Sequence, residues 1–205
     1  MLTPMQKDAL TEILNIQLGA SASILSEMVN QKIILSVPEL KLCQGSDLYS
    51  SLLSRQDVSG DNGAILTSLT FGGKFNGKAS IVFPQDKASI LVNACLGREL
   101  SEKNDLVLSS ERADVIKEIC NVLLNSLIGE FGNILEVKLD YISFETGLSL
   151  DAIHDNPADE QVLILFTSFF LTESQIKGVI VIALSSASFE MLISKINHLL
   201  RDHNV

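Results

Sequence analysis

The chain has 205 residues, 46% of them hydrophobic, which is enough apolar content for one compact unit with its own core. Its 15 Lys and Arg residues are outnumbered by 25 Asp and Glu residues, giving a net charge of -10. Such an excess of negative charge repels nucleic-acid phosphates and anionic lipid headgroups. Neither nucleic acid nor a membrane is therefore expected as a partner.

The amino-terminal residues and the cysteines indicate the cellular compartment in which the protein is expected. Met1 to Leu10 contain Asp8 and lack the basic flank and apolar run of a secretory signal. The longest apolar runs are strand-length and far below the ~20 residues of a membrane helix. Cys43, Cys95 and Cys120 form no C-x-x-C pair. We therefore expect a cytoplasmic protein with free thiols.

The first half of the chain is predicted to hold a helix, a strand, a hairpin and a second helix. Apolar residues recur at helical spacing in the helices, and Pro38 ends the first strand. Residues 39 to 63 are polar and mixed, with a short helix expected around Leu48 to Leu53. The predicted elements are Lys7–Val29, Lys32–Val37, the hairpin Ala64–Phe71 with Lys78–Phe83, and Gln85–Leu96.

The second half repeats this order. The charged segment Arg98 to Ser109 has no regular apolar pattern and is predicted to connect the two halves. The predicted elements after it are the helix Glu111–Phe131, the strand Leu135–Phe144, the strand pair Gln161–Leu171 with Lys177–Leu184, and the helix Phe189–Leu200.

The repeated order predicts an internal duplication, with repeats at approximately 4–97 and 110–201 of a single domain spanning 1–205. Adjacent antiparallel strands followed by helices indicate the α+β class. We expect a pseudo-twofold molecule with a largely antiparallel sheet and two long helices exposed on one side. A doubly wound parallel sheet is the alternative.

The two long helices carry matching polar stripes. Residues at i, i+4 and i+7 fall within one narrow stripe of a helix, because each residue turns the chain by ~100°. The outer face of any amphipathic helix also shows this pattern, so spacing alone leaves a solvated face and a functional site both open. The stripes are Asp8, Glu12 and Asn15 in the first helix, and Asp114, Glu118 and Asn121 in the second.

The local sequence around both stripes resembles a known family. DALTEILNIQLGASA from Asp8 to Ala22, with KIILSVP from Lys32 to Pro38, is similar to the first half of the CheC, CheX and FliY family of response-regulator phosphatases. DVIKEICN from Asp114 to Asn121 resembles the second motif of that family. The resemblance spans nearly the whole chain and is closest to CheC.

This resemblance implies a phosphatase that hydrolyses the aspartyl phosphate of a CheY-like chemotaxis response regulator. Glu12 and Glu118 would pair with the lysine of the receiver domain, while Asn15 and Asn121 would place the attacking water. A carboxamide suits that role because it donates and accepts hydrogen bonds without becoming charged.

Two further expectations follow from the same resemblance. Asp8 and Asp114 would support the helices locally. The chain would bind no cofactor or metal of its own, because the receiver domain would hold the Mg²⁺ that offsets charge on the transferred phosphoryl group.

The chain departs from the family pattern at several positions near the motifs. Leu14 and Cys120 stand where the family commonly has Gly, Gln17 stands where it has a small residue, and the Gly kept as Gly19 is replaced by Asn125. Bulkier residues are expected to weaken docking of a receiver. The alternative function is therefore an adaptor that docks a receiver domain or a CheD-like deamidase without catalysis.

Other features are interpreted as structural. Gly72 to Ala79 nearly matches a phosphate-binding loop, but it lacks the final hydroxyl and precedes a strand, so a hairpin loop is predicted. The acidic stretch Asp151 to Glu160 is predicted to be a solvated loop, and His154, His198 and His203 solvated side chains. A switch role like that of FliY is not expected, because residues 186–205 leave no room for a further domain, and a shorter CheX-like dimer is disfavoured.

Overall fold

A computed structural model describes residues 2–48, 50, 63–96, 110–147, 160–171 and 174–202 of the chain. Within these ranges the chain forms four α-helices and seven β-strands. In chain order they are α1 (Pro4–Val29), β1 (Ile33–Leu35), β2 (Glu39–Gln44), β3 (Ala64–Gly73), β4 (Gly77–Pro84), α2 (Gln85–Cys95), α3 (Ser110–Leu135), β5 (Leu139–Gly147), β6 (Gln161–Leu171), β7 (Ser174–Leu184) and α4 (Ser186–Asp202).

Helix α1 has well-formed ends. The Thr3 hydroxyl accepts a hydrogen bond from the Gln6 backbone N–H, and the Gln6 side chain accepts one from the Thr3 N–H, which makes a capping box. Pro4 occupies the first turn, where its missing N–H costs nothing. At the other end Asn30 adopts the left-handed conformation, with φ 50° and ψ 35°, and ends the helix.

The strands form one antiparallel sheet in the order β1-β6-β7-β4-β3-β5, with β2 also paired to β6. Helices and antiparallel strands together confirm the predicted α+β class. The alternative of a doubly wound parallel sheet is wrong. In the described residues, no helix is long and apolar enough to cross a membrane.

The helices and hairpins lie where periodicity places them, with ends that shift by a few residues. The largest shift is at the strand predicted to begin at Leu135. Helix α3 instead continues to Leu135, and the next residue, Glu136, has a positive φ of 55°. Strand β5 begins only at Leu139. The predicted connection from Arg98 to Ser109 lies outside the described residues.

Strand β2 was missed in the sequence. Its residues alternate between the core and the surface, since Leu40 is buried while Glu39 and Lys41 are exposed, but charged residues hide this short pattern. Strand β6 pairs with β1 over one part of its length and with β2 over the other. Pro38, which has no N–H to donate, lies between the two short strands. Most of the short helix expected around residues 48–53 lies outside the described residues.

The two halves of the chain exchange strands about a pseudo-twofold axis. Strands β4 and β7 pair at the middle of the sheet, one from each half. Strand β1 of the first half pairs with β6 of the second, and β5 of the second half pairs with β3 of the first. This arrangement confirms the predicted pseudo-twofold duplication, while the bounds of the repeats stay a prediction.

Two hydrogen bonds between helices follow the same symmetry. The Gln6 side chain of α1 donates to the Asn197 side-chain oxygen of α4 at 2.8 Å. The Arg112 guanidinium of α3 donates to the Asn93 side-chain oxygen of α2 at 2.7 Å. Gln6 and Arg112 each precede a motif Asp by two residues. Each motif helix is therefore tied near its start to the closing helix of the other half.

The main core lies between the helices and one face of the sheet. Each motif helix contributes a row of buried leucines, and Phe71, Phe75 and Phe131 form a chain of aromatic contacts with ring centroids 5.6 and 5.9 Å apart. Burial of such side chains is worth about 1.5–3 kcal/mol each. A smaller apolar cluster, including Leu66, Val82 and Val181, occupies the opposite face of the sheet.

Replacing Leu14 by Ala should lower the free energy of unfolding by about 2–5 kcal/mol, because its side chain is 1% exposed and its removal leaves a cavity. The matched control on the same helix is Ile16→Ala, whose side chain is 57% exposed and whose loss should cost at most about 0.5 kcal/mol. Urea denaturation monitored by circular dichroism measures both. Equal losses would contradict the orientation of α1.

Candidate functional site

The first polar stripe lies on the outer side of α1. Leu10, Leu14 and Leu18 are buried, which turns the opposite side of the helix to solvent. Asp8 and Glu12 are exposed there, and Asn15 is half-buried. The seven-residue spacing from Asp8 to Asn15 therefore follows the surface line of the helix, because seven residues make about two turns of a 3.6-residue repeat.

The second stripe lies on α3 in the same way. Ile119, Cys120 and Leu123 are at most 2% exposed and hold the other side of the helix in the core. Asp114 and Glu118 are exposed, and Asn121 is half-buried. The structure thus places all six predicted site residues on two helix surfaces, three on each. Their chemical roles stay predictions.

The residues that replace the family's Gly before each motif Asn do not reach this surface. Leu14 is 1% exposed and Cys120 is fully buried. The thiol of Cys120 hydrogen-bonds with the Thr67 side chain of the sheet. The expectation that these two residues weaken docking is wrong, because at this spacing a residue directly before the motif Asn points into the core.

Gln17, the third departure, contributes to the packing of the two motif helices. Its side-chain oxygen lies 3.5 Å from the Ser126 hydroxyl of α3, which donates to it, and the Ser21 hydroxyl donates to its backbone carbonyl at 2.8 Å. The bulk of Gln17 is therefore directed at the α1–α3 contact.

The two motif asparagines have different surroundings. Asn125, one turn after Asn121, donates from its side-chain nitrogen to the Asn121 side-chain oxygen at 2.7 Å. One turn after Asn15 stands Gly19, and a Cβ added there would meet no atom within 4 Å. The helical spacing predicts this neighbourhood, but the hydrogen bond itself is visible only in the structure.

Both stripes lie on the outer surfaces of their helices. A cleft of about 460 Å³ opens elsewhere, between the end of α3 and helix α4, and Leu135, Lys195 and Arg201 are among its lining residues. None of the six motif residues lines it. Small substrates are usually held in concave pockets. The geometry of the stripes therefore suits a large partner whose own cavity receives a helix surface.

The features interpreted as structural agree with the structure where it describes them. Strands β3 and β4 form a hairpin across Gly72 to Ala79, as predicted, and Gly73 has a φ of +106° at the turn. Cys43, Cys95 and Cys120 are free thiols. His198 is exposed, and the other two histidines and most of the acidic stretch lie outside the described residues.

Comparison with known families and sequences identifies relatives of the chain. Residues 5–42, which include the first motif, match the CheC-like family. The flagellar motor switch phosphatase FliY of Bacillus subtilis (strain 168) is 27% identical over 139 residues, which are 68% of this chain and 34% of FliY. The chain therefore spans about a third of the length of this relative.

Solved structures share the fold. The crystal structure of Thermotoga maritima FliY is 19% identical, with a TM-score of 0.74 over 97% of this chain and 98% of that chain. The FliM middle domain from H. pylori is 13% identical, with a TM-score of 0.68 over 95% of this chain and 99% of that chain. These structures show a shared fold, and the sequence matches confirm the family resemblance predicted from the two helix motifs. A nearest kinship with CheC stays a prediction.

The thiol of Cys120 should resist alkylation in the folded protein. Burial raises the pKa of Cys120 to about 12, and the hydrogen bond with Thr67 lowers it only in part, so the thiol stays protonated at pH 8. Iodoacetamide labelling followed by peptide mass spectrometry should modify the half-buried Cys43 first and Cys120 only after addition of urea. Rapid labelling of Cys120 without urea would contradict the packing of α3 on the sheet.

Proposed function

We propose, for a chain related to the CheC, CheX and FliY proteins, that it accelerates hydrolysis of the aspartyl phosphate on a chemotaxis response regulator. The observation that supports this most directly is the pair of exposed Glu-x-x-Asn stripes, at Glu12 and Asn15 and again at Glu118 and Asn121. The FliY relative is named a phosphatase, which agrees with the proposal.

In the proposed mechanism, one helix surface enters the phosphorylated site of the receiver domain. The carboxylate of Glu12 or Glu118 pairs with a receiver lysine and sets the register of the two proteins. This pairing becomes stronger as docking removes water from between the charges. The exposed position of both carboxylates leaves them able to reach a partner without first breaking internal contacts.

The carboxamide of Asn15 or Asn121 then places a water molecule for in-line attack on phosphorus. Its oxygen accepts a hydrogen bond from the water and its nitrogen donates to a phosphoryl or water oxygen, so the water is oriented without ionisation of the enzyme. No covalent intermediate forms on this chain. Carboxylates of the receiver would hold Mg²⁺, which would offset the charge on the phosphoryl group.

Asp8 and Asp114 are proposed to have a supporting role only. Each lies one helical turn before the motif Glu, on the exposed side of its helix. Each lies about two helical turns before the motif Asn, too far to contact the water that this Asn is proposed to hold. We therefore propose that both support the helices locally and take no part in the chemistry.

The second candidate function is an adaptor. FliM of H. pylori shares the fold at 11% identity and its structure was solved in complex with FliG, which agrees with a binding role. The contact between Asn125 and Asn121 is a specific observation in favour of this candidate at one of the two sites. An adaptor would bind a phosphorylated receiver or a CheD-like deamidase and leave the lifetime of the phosphate unchanged.

Replacing Asn15 and Asn121 together by Ala should reduce the acceleration of phosphate loss by roughly a hundredfold, because the attacking water is no longer held. The assay follows phosphate release from acyl-phosphorylated response regulators of the same organism at fixed Mg²⁺. Both side chains are only half-buried, so the thermal transition of the double variant should stay close to that of the unsubstituted protein.

The matched control is Asn133→Ala, an exposed asparagine further along α3 whose side chain donates to Glu130. It should leave the rate unchanged. Full activity in the Asn15 and Asn121 double variant would rule out the proposed site. Tight binding of a phosphorylated receiver with no faster phosphate loss, in the unsubstituted protein, would favour the adaptor.

A further inference from the structure

Equivalent positions of the two motif helices hold different residues at the centre of the exposed stripe. Four residues after each motif Asn stand Gly19 on α1 and Asn125 on α3. Residues four apart on a helix are surface neighbours, with Cβ atoms about 5–6 Å apart. The residue at this position therefore decides what the carboxamide of the motif Asn can contact from its own helix.

At the second site that neighbour engages the motif Asn. The 2.7 Å hydrogen bond from Asn125 occupies one of the two polar ends of the Asn121 carboxamide. If the oxygen and nitrogen assignments of both side-chain amides were exchanged, the Asn121 nitrogen would donate to the Asn125 oxygen, and the contact would remain. The Asn121 oxygen keeps a second lone pair and its nitrogen keeps both N–H donors, but the bond fixes the carboxamide along its own helix, so the group must break this bond to turn toward an intermolecular site.

At the first site the motif Asn has more freedom. None of the described residues forms a side-chain hydrogen bond to the Asn15 carboxamide. Gly19 adds no side chain, and the space where its Cβ would stand is open. A partner can therefore approach the helix closely beside Asn15.

The surface around the first site is also more apolar. Ile16, next to Asn15, is 57% exposed, whereas Val122, next to Asn121, is half-buried. Exposed apolar side chains beside polar site residues are typical of docking surfaces.

We infer that Asn125 is a positioning residue that slows the second site by holding Asn121. The first site, which contains Asn15, then accounts for most of the phosphatase activity. This inference rests on the proposed function. The strength of a single hydrogen bond of this kind corresponds to roughly a two- to tenfold change in the population of the free carboxamide. A rate difference of that order is expected between the sites.

The first measurement compares the two single-site variants. Asn121→Ala should keep more than half of the activity, and Asn15→Ala should lose most of it. A substitution that breaks the hydrogen bond, Asn125→Ala in the Asn15→Ala background, should then raise the remaining activity about two- to tenfold. Because Ala favours the helix more than Asn does, this variant should fold.

The reciprocal exchange tests the hydrogen bond apart from side-chain bulk. Gly19→Asn, in the Asn121→Ala background, gives the first site the neighbour of the second and should lower its kcat about two- to tenfold. Gly19→Ala is the matched control. It adds a Cβ and cannot hydrogen-bond, so it measures the effect of bulk on docking alone, and kcat should be about two- to tenfold lower in Gly19→Asn than in Gly19→Ala.

NMR spectroscopy can detect the hydrogen bond between Asn125 and Asn121 independently of catalysis. In ¹⁵N-labelled protein, the side-chain amide resonances of Asn121 should shift in Asn125→Ala, and those of Asn15 should not. Unchanged resonances of Asn121, or no rate change in Asn125→Ala and Gly19→Asn while the unsubstituted protein is active, would overturn the inference and leave the proposed function standing. An unsubstituted protein that accelerates no phosphate loss would overturn both.

Discussion

Each motif helix must bury one apolar side against the sheet, and this requirement determines which side chains reach the surface. On α1 the leucines at positions 10, 14 and 18 are buried, and on α3 the side chains of Ile119, Cys120 and Leu123 are. Because the helical repeat is fixed, burying these residues turns Glu12 with Asn15, and Glu118 with Asn121, to the outside. Packing of the core is therefore sufficient to orient the candidate site toward the surface.

Much of the fold could be predicted from the sequence because its signals are strong. The long helices and hairpins show clear periodicity over many residues, and the duplicated order of elements indicated the pseudo-twofold sheet. Strand β2 could not be predicted, because a short strand with Glu39 and Lys41 on its exposed face has little apolar signal. Its existence depends on the distant strand β6, with which it pairs. Long-range pairing of this kind overrides local preference.

The candidate site was predictable in position but not in detail. The spacing of the stripes placed the six residues on the surface, whereas the effect of the neighbours required the structure. The sequence pattern suggested that the side chains of Leu14 and Cys120 would obstruct a partner, but both point into the core. Asn125 was expected to matter only through its bulk, whereas in the structure it forms a 2.7 Å hydrogen bond with the motif Asn. The two helix surfaces are similar in sequence, but the surroundings of their motif asparagines differ.

The exchange of strands between halves also has a consequence for how the chain is made. Strands β1 and β2 leave the ribosome roughly a hundred residues before β6, the strand with which they pair, so at usual rates of synthesis they wait on the order of ten seconds. During this time α1 has no completed sheet on which to bury its leucines. The apolar side of α1 is therefore covered only after the second half of the chain has been made. Because the sheet is shared, each motif helix packs on a surface that strands of both halves complete.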